Sequence, residues 1–307
     1  MNRKTANKVM TANEAIKRFV HDGATVGMGG QSIGRCAMAL THEIIRQNIK
    51  NLTLVGCNLS MSMDMLVGSG LAVRTECGTG NLERFGTAFQ WRQAIEQGRI
   101  QVEDYSHLAM ASRFLAGSLG LPFMPSKSLL GTDILNQQIK NENMPFQIIQ
   151  NPWDIDEQVV LVPASKPDVS IVHVQKADAM GNVIIQGFTT QEPEMVKASS
   201  SVIVSCEELI SSDEVRKYPD RTTVPYLFVD AVVVQPWGSY PTSTYGHYEH
   251  DPEHVRLYQL NARSGGDDYA KYLKEYIYEC DDFDQFLEIA TSREKRTKLQ
   301  DSMDKMM

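Results

Sequence analysis

The chain has 307 residues, 42% hydrophobic and 22% charged, with a formal net charge of −8 at pH 7. That length suits one large domain or two ordinary ones, and the composition is that of a globular protein. The acidic balance and the lack of a basic cluster argue against nucleic acid as the main partner, while one local site can still oppose the net charge and hold an anion. No apolar run reaches the ~18 residues of a membrane span. The polar start "MNRKTANKVM" lacks the apolar stretch of a secretory signal, so a cytoplasmic protein is expected. The five cysteines, Cys36, Cys57, Cys77, Cys206 and Cys280, form no CxxC pair and read as free thiols of a reducing compartment.

"TANE" (Thr11–Glu14) is a capping box. The helix it opens places Ala15, Ile16, Phe19 and Val20 on one face and stops at Gly23. "ATVGM" follows as a strand, and Ala37, Leu40, Ile44 and Ile45 give the next helix a buried stripe. "NLTLVGC" (Asn51–Cys57) and "LAVRTEC" (Leu71–Cys77) are strands two and three. A helix from about Phe89 to Gln97, a strand over Arg99–Tyr105 and a helix over Ser106–Gly120 come next. A polar, proline-interrupted excursion spans about 132–158. Beyond it, Asp168–Val174, Asn182–Gln186, Ser201–Cys206 and Val229–Gln235 read as strands covered on both sides. A charged helical cap occupies about 251–307, and no internal repeat is visible. The alternation predicts a single α/β domain with an open, mostly parallel sheet and helices on both faces.

Ligands of such a sheet bind at the carboxyl ends of its strands. Gly29 and Gly30 end the first strand, just before Arg35 and a helix. Backbone without Cβ, free N–H groups and a guanidinium would suit an anion there. The glycine spacing is not GxGxxG, so no dinucleotide fingerprint is met. After the third strand, Glu76 and Cys77 are candidate nucleophiles, with Gly78 to Gly80 as backbone donors; the plainer reading of both is structural. His247, His250 and His254 have ligand-like spacing, but Pro252 interrupts their segment, which reads as a solvated loop rim rather than a metal site. Met61, Met63 and Met65 read as adaptable core or pocket lining.

"DGATVGMGGQSIGR", "DYS" with "LGLPFMP", "PDVSIVHVQKADAMGNV", "SSVIVSCEELISSDEVRKYP" and "VDAVVVQPWGSYPTSTYGHYEHD" occur in that order. Together they resemble the α (A) subunit of family I CoA-transferases, of the glutaconate CoA-transferase type. The resemblance implies a NagB/RpiA-like fold and a reaction that moves CoA between an acyl-CoA and a free carboxylic acid. In that family a glutamate of the B half attacks the thioester and becomes a glutamyl-CoA thioester. Its Ser-Glu-Asn-Gly-type motif is missing here; "NEN" (Asn141–Asn143) lacks the glycine. The resemblance therefore implies no catalytic residue in this chain, a B (β) partner carrying the glutamate, and an α2β2 or larger assembly. It implies no metal and no permanently bound cofactor, with the coenzyme A thioester entering as substrate. It also implies acyl or CoA contacts from Gly29, Gly30, Gln31, Ser32, Arg35, Gly78, Thr79, Asn81 and Ser106, with the loop N–H groups facing an acyl oxygen and Arg35 holding a carboxylate or CoA phosphate. Gln31 replaces the family's usual Phe, and Ala37 stands where a Pro is common, so the acyl group is not glutaconate by default. The alternative is one component of an acyl-CoA hydrolase or ring-opening hydrolase, since relatives of that kind lack the B-half glutamate motif.

Overall fold

A computed structural model describes residues 7–139 and 146–305. The Asn141–Asn143 triplet lies outside them. Thr11 caps helix α1 (Ala12–Phe19): its hydroxyl accepts the Glu14 N–H, and the Glu14 carboxylate accepts the Thr11 N–H at 2.9 Å. Strand β1 (Thr25–Met28), helix α2 (Met38–Arg46), strand β2 (Leu52–Leu59), helix α3 (Met61–Gly68) and strand β3 (Ala72–Gly80) follow. Helix α4 (Phe89–Glu96), strand β4 (Gln101–Asp104) and helix α5 (His107–Ser118) complete the first half. Next come strand β5 (Phe123–Ser126), helix α6 (Asp133–Ile139) and strands β6 (Gln147–Asn151) and β7 (Asp154–Pro163). The second half runs through strands β8 (Val169–Asp178) and β9 (Val183–Ile184), helix α7 (Glu192–Ala198), strand β10 (Ser201–Ile210), helix α8 (Ser212–Lys217) and strand β11 (Ala231–Val234). Helices α9 (Pro252–Ser264), α10 (Gly266–Leu273), α11 (Phe283–Ala290) and α12 (Arg293–Asp304) close it.

The main sheet has the order β11-β10-β8-β1-β2-β3-β4, with all these neighbours parallel, and β9 pairs antiparallel with β8. Side chains alternate between two cores. Leu54, Ile171, Ile203 and Val233 face the α1–α4 side, which the C-terminal helices also cover with Tyr258, Tyr272 and Phe286. Val55, Val172, Val204 and Val232 face the α5 and α7 side. Burial on both faces is why these strands are β-branched throughout. The chain leaves β1 in one direction through β2 and returns on its other flank as β8. The β1/β8 seam is thus the point where strand order reverses, the place where such sheets open a crevice.

Three sequence expectations change, while Met61, Met63 and Met65 are core as expected. The 132–158 excursion carries α6, β6 and part of β7, and β5-β7-β6 form a separate antiparallel sheet. The Met61–Met65 run is a helix buried over nearly all its residues, so it lacks the polar face that would reveal a helical period. Strand β3 extends to Gly80, so Gly78 to Gly80 belong to the ladder instead of a loop of donors. Only Val183 and Ile184 of the 182–186 run pair as a strand. Both edges of the main sheet are guarded: β4 is a short Gln-Val-Glu-Asp strand, and the chain beside β11 pairs Val9 with Val232. Among the described residues no helix is long and apolar enough to cross a membrane.

One buried carboxylate ties three helices together. Asp64 on α3 accepts the Trp91 N–H of α4 and the Tyr258 hydroxyl of α9, each at 2.7 Å. Burial pushes its pKa from 3.8 up to about 6, against those two hydrogen bonds. Between these values the folded protein holds a proton that the unfolded chain has released. Asp64 therefore adds its full stability below about pH 4 and loses it as the pH rises through 6. Asp64→Asn is expected to flatten that slope. Compared by urea unfolding at pH 4 and pH 7.5, the variant should gain on the wild type by about 2–3 kcal/mol at the higher pH. A pH-independent difference would show that Asp64 does not carry the slope.

Candidate active site

At the β1/β8 seam the first strand ends in the glycine pair, and packing against the chain itself explains both glycines. A Cβ on Gly29 would sit 2.6 Å from a Val172 methyl and 2.9 Å from Glu192 Oε1. One on Gly30, whose φ is +87°, would meet the Arg35 carbonyl at 2.7 Å. The N–H groups are engaged as well. Gly29 donates to the Ile171 carbonyl at 2.9 Å, Gly30 to Glu192 Oε1 at 2.8 Å, Gln31 to the Gly34 carbonyl at 2.8 Å and Ser32 to the Asn58 carbonyl at 3.2 Å. The expectation that they face an acyl oxygen is corrected: internal acceptors take all four.

Arg35 is corrected in the same way. Its guanidinium is buried and forms a two-pronged ion pair with Glu192 at the start of α7. Nη1 also donates to the His173 carbonyl at 3.1 Å and Nη2 to the Phe188 carbonyl at 2.8 Å. With side-chain exposures of 6% and 3% for Arg35 and Glu192, this charge holds the protein's own segments together rather than facing a ligand. Ser32, Arg35 and Thr190 all have φ near +50°, a conformation that costs non-glycine residues energy and persists only where surrounding contacts enforce it. Ser32 Oγ is buried with no hydrogen-bond partner. Beneath the pair lies a second buried network: His173 Nε2 is 2.7 Å from Glu207 Oε1, and Glu207 also accepts the Tyr248 hydroxyl and the Trp237 N–H. Burial works to raise the Glu207 pKa, yet these bonds hold it below the usual value.

Across the crevice, the ends of β2 and β3 bring together Asn58, Thr79 and His107. Thr79 Oγ1 donates to Asn58 Oδ1 at 2.8 Å and lies 3.1 Å from His107 Nε2. Gly78 has no room for a Cβ, which would meet His107 at 2.4 Å. Ser106 caps α5 by accepting the Ala109 N–H, and its hydroxyl is 3.1 Å from that of Ser128. Asn81 lies just past β3, where its Oδ1 accepts the Glu83 N–H. Beside the glycine loop a space of only about 10 Å³ is bounded by Gly30, Cys57, Gln191 and Glu192 and, on its apolar side, by Met28, Phe114 and Met195. Burial pushes the Cys57 thiol up to about 11, so it stays protonated at neutral pH. Sequence reading missed Glu192, Asn58, Cys57 and His107 as site residues, because none belongs to a recognisable motif.

The remaining candidates are structural. Glu76 pairs with Arg74 at 3.0 Å and Arg113 at 2.8 Å. Cys77 is buried, which pushes its pKa up to about 12. The three histidines do not form a loop rim. Pro252 opens α9 behind the Asp251 cap instead of breaking a helix, since the first helical turn needs no N–H there. His254 is consequently buried, 3.0 Å from the Tyr272 hydroxyl. His250 sits between Glu249 and Arg84, and His247 lies 3.8 Å from Glu208.

A mostly parallel sheet with helices on both faces and a reversal of strand order at β1/β8 defines an open α/β fold. The Coenzyme A transferase family profile matches residues 9–235. The A-type chain of glutaconate CoA-transferase from Acidaminococcus fermentans is 33% identical over 292 residues, covering 92% of this chain and 91% of that one. The A-type chain of 3-oxoadipate CoA-transferase from Pseudomonas knackmussii is 32% identical over 284 residues, covering 91% and 96%. The crystal structure of the Acidaminococcus enzyme matches with a TM-score of 0.89 at 32% identity, over 95% of each chain. A protein of Archaeoglobus fulgidus is 35% identical over 300 residues, and this chain spans 65% of its length. The chain belongs to the coenzyme A transferase family.

Removing one member of a buried ion pair strands the other charge. Arg35→Met is expected to cost about 3–5 kcal/mol in denaturant unfolding. Arg35→Met combined with Glu192→Gln should recover a large part of that loss. A double-variant loss equal to the sum of the Arg35→Met and Glu192→Gln single losses would show that the pair is not coupled.

Proposed function

We propose that this chain is the α (A) component of a heteromeric CoA-transferase that moves CoA between an acyl-CoA and a free carboxylic acid. What carries the reading is the near full-length correspondence with the glutaconate CoA-transferase chain, at a TM-score of 0.89 over 95% of both chains. The whole chain is read as one transferase-type domain, working in the cytoplasm with a β (B) partner in an α2β2 or larger assembly. The absence of disulfides at its five cysteines suits a reducing compartment.

The carboxylates near the crevice have other work. Glu192 is tied to Arg35 and Glu76 to Arg74 and Arg113, and the Cys57 thiol is protonated. As the resemblance to family I CoA-transferases implies, the nucleophile is assigned to a glutamate of the partner. That carboxylate attacks the thioester carbonyl and expels CoA thiolate, leaving a mixed anhydride. The thiolate then attacks the glutamyl carbonyl, releasing the first acid and forming a glutamyl-CoA thioester. The acceptor acid reverses the two steps. This chain supplies one wall: a glycine loop fixed in shape by Arg35 and Glu192, and the Asn58–Thr79–His107 cluster opposite it. The buried Ser32 hydroxyl, which has no internal partner, is the donor assigned to the incoming acyl group or partner backbone. Fixed walls hold the thioester and carboxylate in attack geometry, which lowers the barrier through orientation fixed in advance. The two transferase chains matched at 32–33% identity place transfer ahead of hydrolysis.

The test assembles the chain with its β partner, adds an acyl-CoA donor and traps with borohydride. Mass spectrometry is expected to find a reduced glutamate on the partner. A reduced Glu76 or Glu192 in this chain would overturn the division of labour. Consumption of acyl-CoA by water, with no carboxylate trapped, would establish the hydrolase alternative.

A further inference from the structure

Helix α11 lies on α2 across a seam of aromatic rings that encloses two histidines. His42, on α2, is fully buried, and its ring meets Phe283 at 5.1 Å and Phe286 at 4.6 Å, both edge-on. Neither of its ring nitrogens has a hydrogen-bond partner. His254, in the first turn of α9, is 4% exposed. It stands edge-on to the same Phe286 ring at 5.7 Å and to Tyr276 at 5.1 Å, with Nε2 3.0 Å from the Tyr272 hydroxyl. Phe286 thus touches both imidazoles.

The charges around the two rings offer little to a proton. Arg46, one turn beyond His42 on α2, carries a like charge, and its Nη1 is itself buried without a partner. Glu43, the carboxylate of α2, is spent on Arg46, Asn13 and Gln47. Asp251 at the start of α9 draws a proton toward His254, but it is paired with Lys295 of α12 at 2.7 Å and accepts the Tyr240 hydroxyl. At α11, Asp282 caps the helix through the Gln285 N–H and Asp284 accepts from the Gln235 amide. Before α11, burial keeps the Tyr272 and Tyr276 phenols neutral, and the Cys280 thiol lies near Arg46. Among the described residues no carboxylate forms an ion pair with either histidine. Burial accordingly pushes the His42 pKa well below its usual value and that of His254 down to about 4. We propose that the α2–α11 seam is an acid-sensitive latch, in which proton uptake at His42 and His254 releases α11 from α2 while α9 stays docked. Opened to water, each imidazole regains its ordinary basicity near pH 6.5. The open seam binds protons that the closed seam refuses, so opening is favoured as the pH falls below about 6.5. Asp64 works with the opposite sign: its buried carboxyl holds a proton in acid and keeps α9 tied to α3 and α4. The link ahead of α11 contains a π-helical turn, Lys274–Tyr278, a departure from α geometry that recurs where helices serve a function.

Amide hydrogen exchange of the full chain, followed by mass spectrometry at pH 7.5 and pH 5.0 and corrected for the intrinsic exchange rates, tests the latch. Between these pH values the opening constant should rise about thirtyfold for each histidine that reaches water, and about a thousandfold for the pair. Protection of the α11 amides should fall by that factor, while peptides of β8 and β10 keep theirs. His42→Leu and His254→Gln should each leave only about a thirtyfold loss, and the double variant should be flat. If His42→Leu does not fold, His254→Gln decides: an acid loss equal to that of the wild type would overturn the proposal. Unchanged α11 protection in the wild type would overturn it, as would loss of protection by α11 and the main sheet together. An acid loss that persists in the double variant would show that other groups release the helix. The experiment needs no substrate, so its outcome is independent of the transferase reading.

Discussion

The buried pair between Arg35 and Glu192 fixes the geometry of everything around the crevice. Its two side chains lie 157 residues apart in sequence and carry opposite charges into a place with little water. Such a pair needs its remaining donors and lone pairs occupied, and here most of them are. Arg35 reaches the carbonyls of His173 and Phe188, while Glu192 takes the Gly30 N–H. Three segments are thereby set in register: the glycine loop, the middle of β8 and the approach to α7. The positive φ angles of Ser32, Arg35 and Thr190 are strain that this network holds in place. A charge that looked available for a ligand is instead the fastener of the site's wall.

That difference marks what the sequence discloses. Local physics was legible in part: the Thr11 capping box and the β-branched runs of β8 and β10 depend on neighbouring residues, whereas the first helix ends at Phe19 with an extended Val20 cap instead of running to Gly23. The Arg35 partner was not, because nothing within a few residues of Glu192 announces that α7 will begin beneath the glycine loop. Helix α3 escaped because a fully buried helix loses the polar stripe that periodicity needs. The antiparallel β5-β7-β6 sheet was obscured by polar residues and prolines that read as an excursion. Its β6 strand is largely exposed, so it lacks the apolar signature of a core strand. Of the candidate site residues, Thr79, Asn81 and Ser106 came from resemblance, while Asn58 and His107 emerge only when β2, β3 and α5 meet.

The C-terminal helices lie outside the stretch matched to the family, residues 9–235, yet they are part of the main core. Tyr258 reaches Asp64, and Phe283 and Phe286 pack edge-on against His42 of α2. Tyr240 hydrogen-bonds Asp251, which also pairs with Lys295 of α12 at 2.7 Å. These contacts brace the α1–α4 side from outside, so the wall of the crevice has a rigid layer behind it.

The guarded edges of the main sheet have a consequence for assembly. Proteins with open strand edges can grow by adding strands, and that route leads equally to ordered dimers and to aggregates. Here β4 exposes only a short, doubly acidic rim, and the Val9 segment shields β11. Lengthening the main sheet is thereby disfavoured for another chain, and a sheet this rich in valine and isoleucine is kept from templating copies of itself.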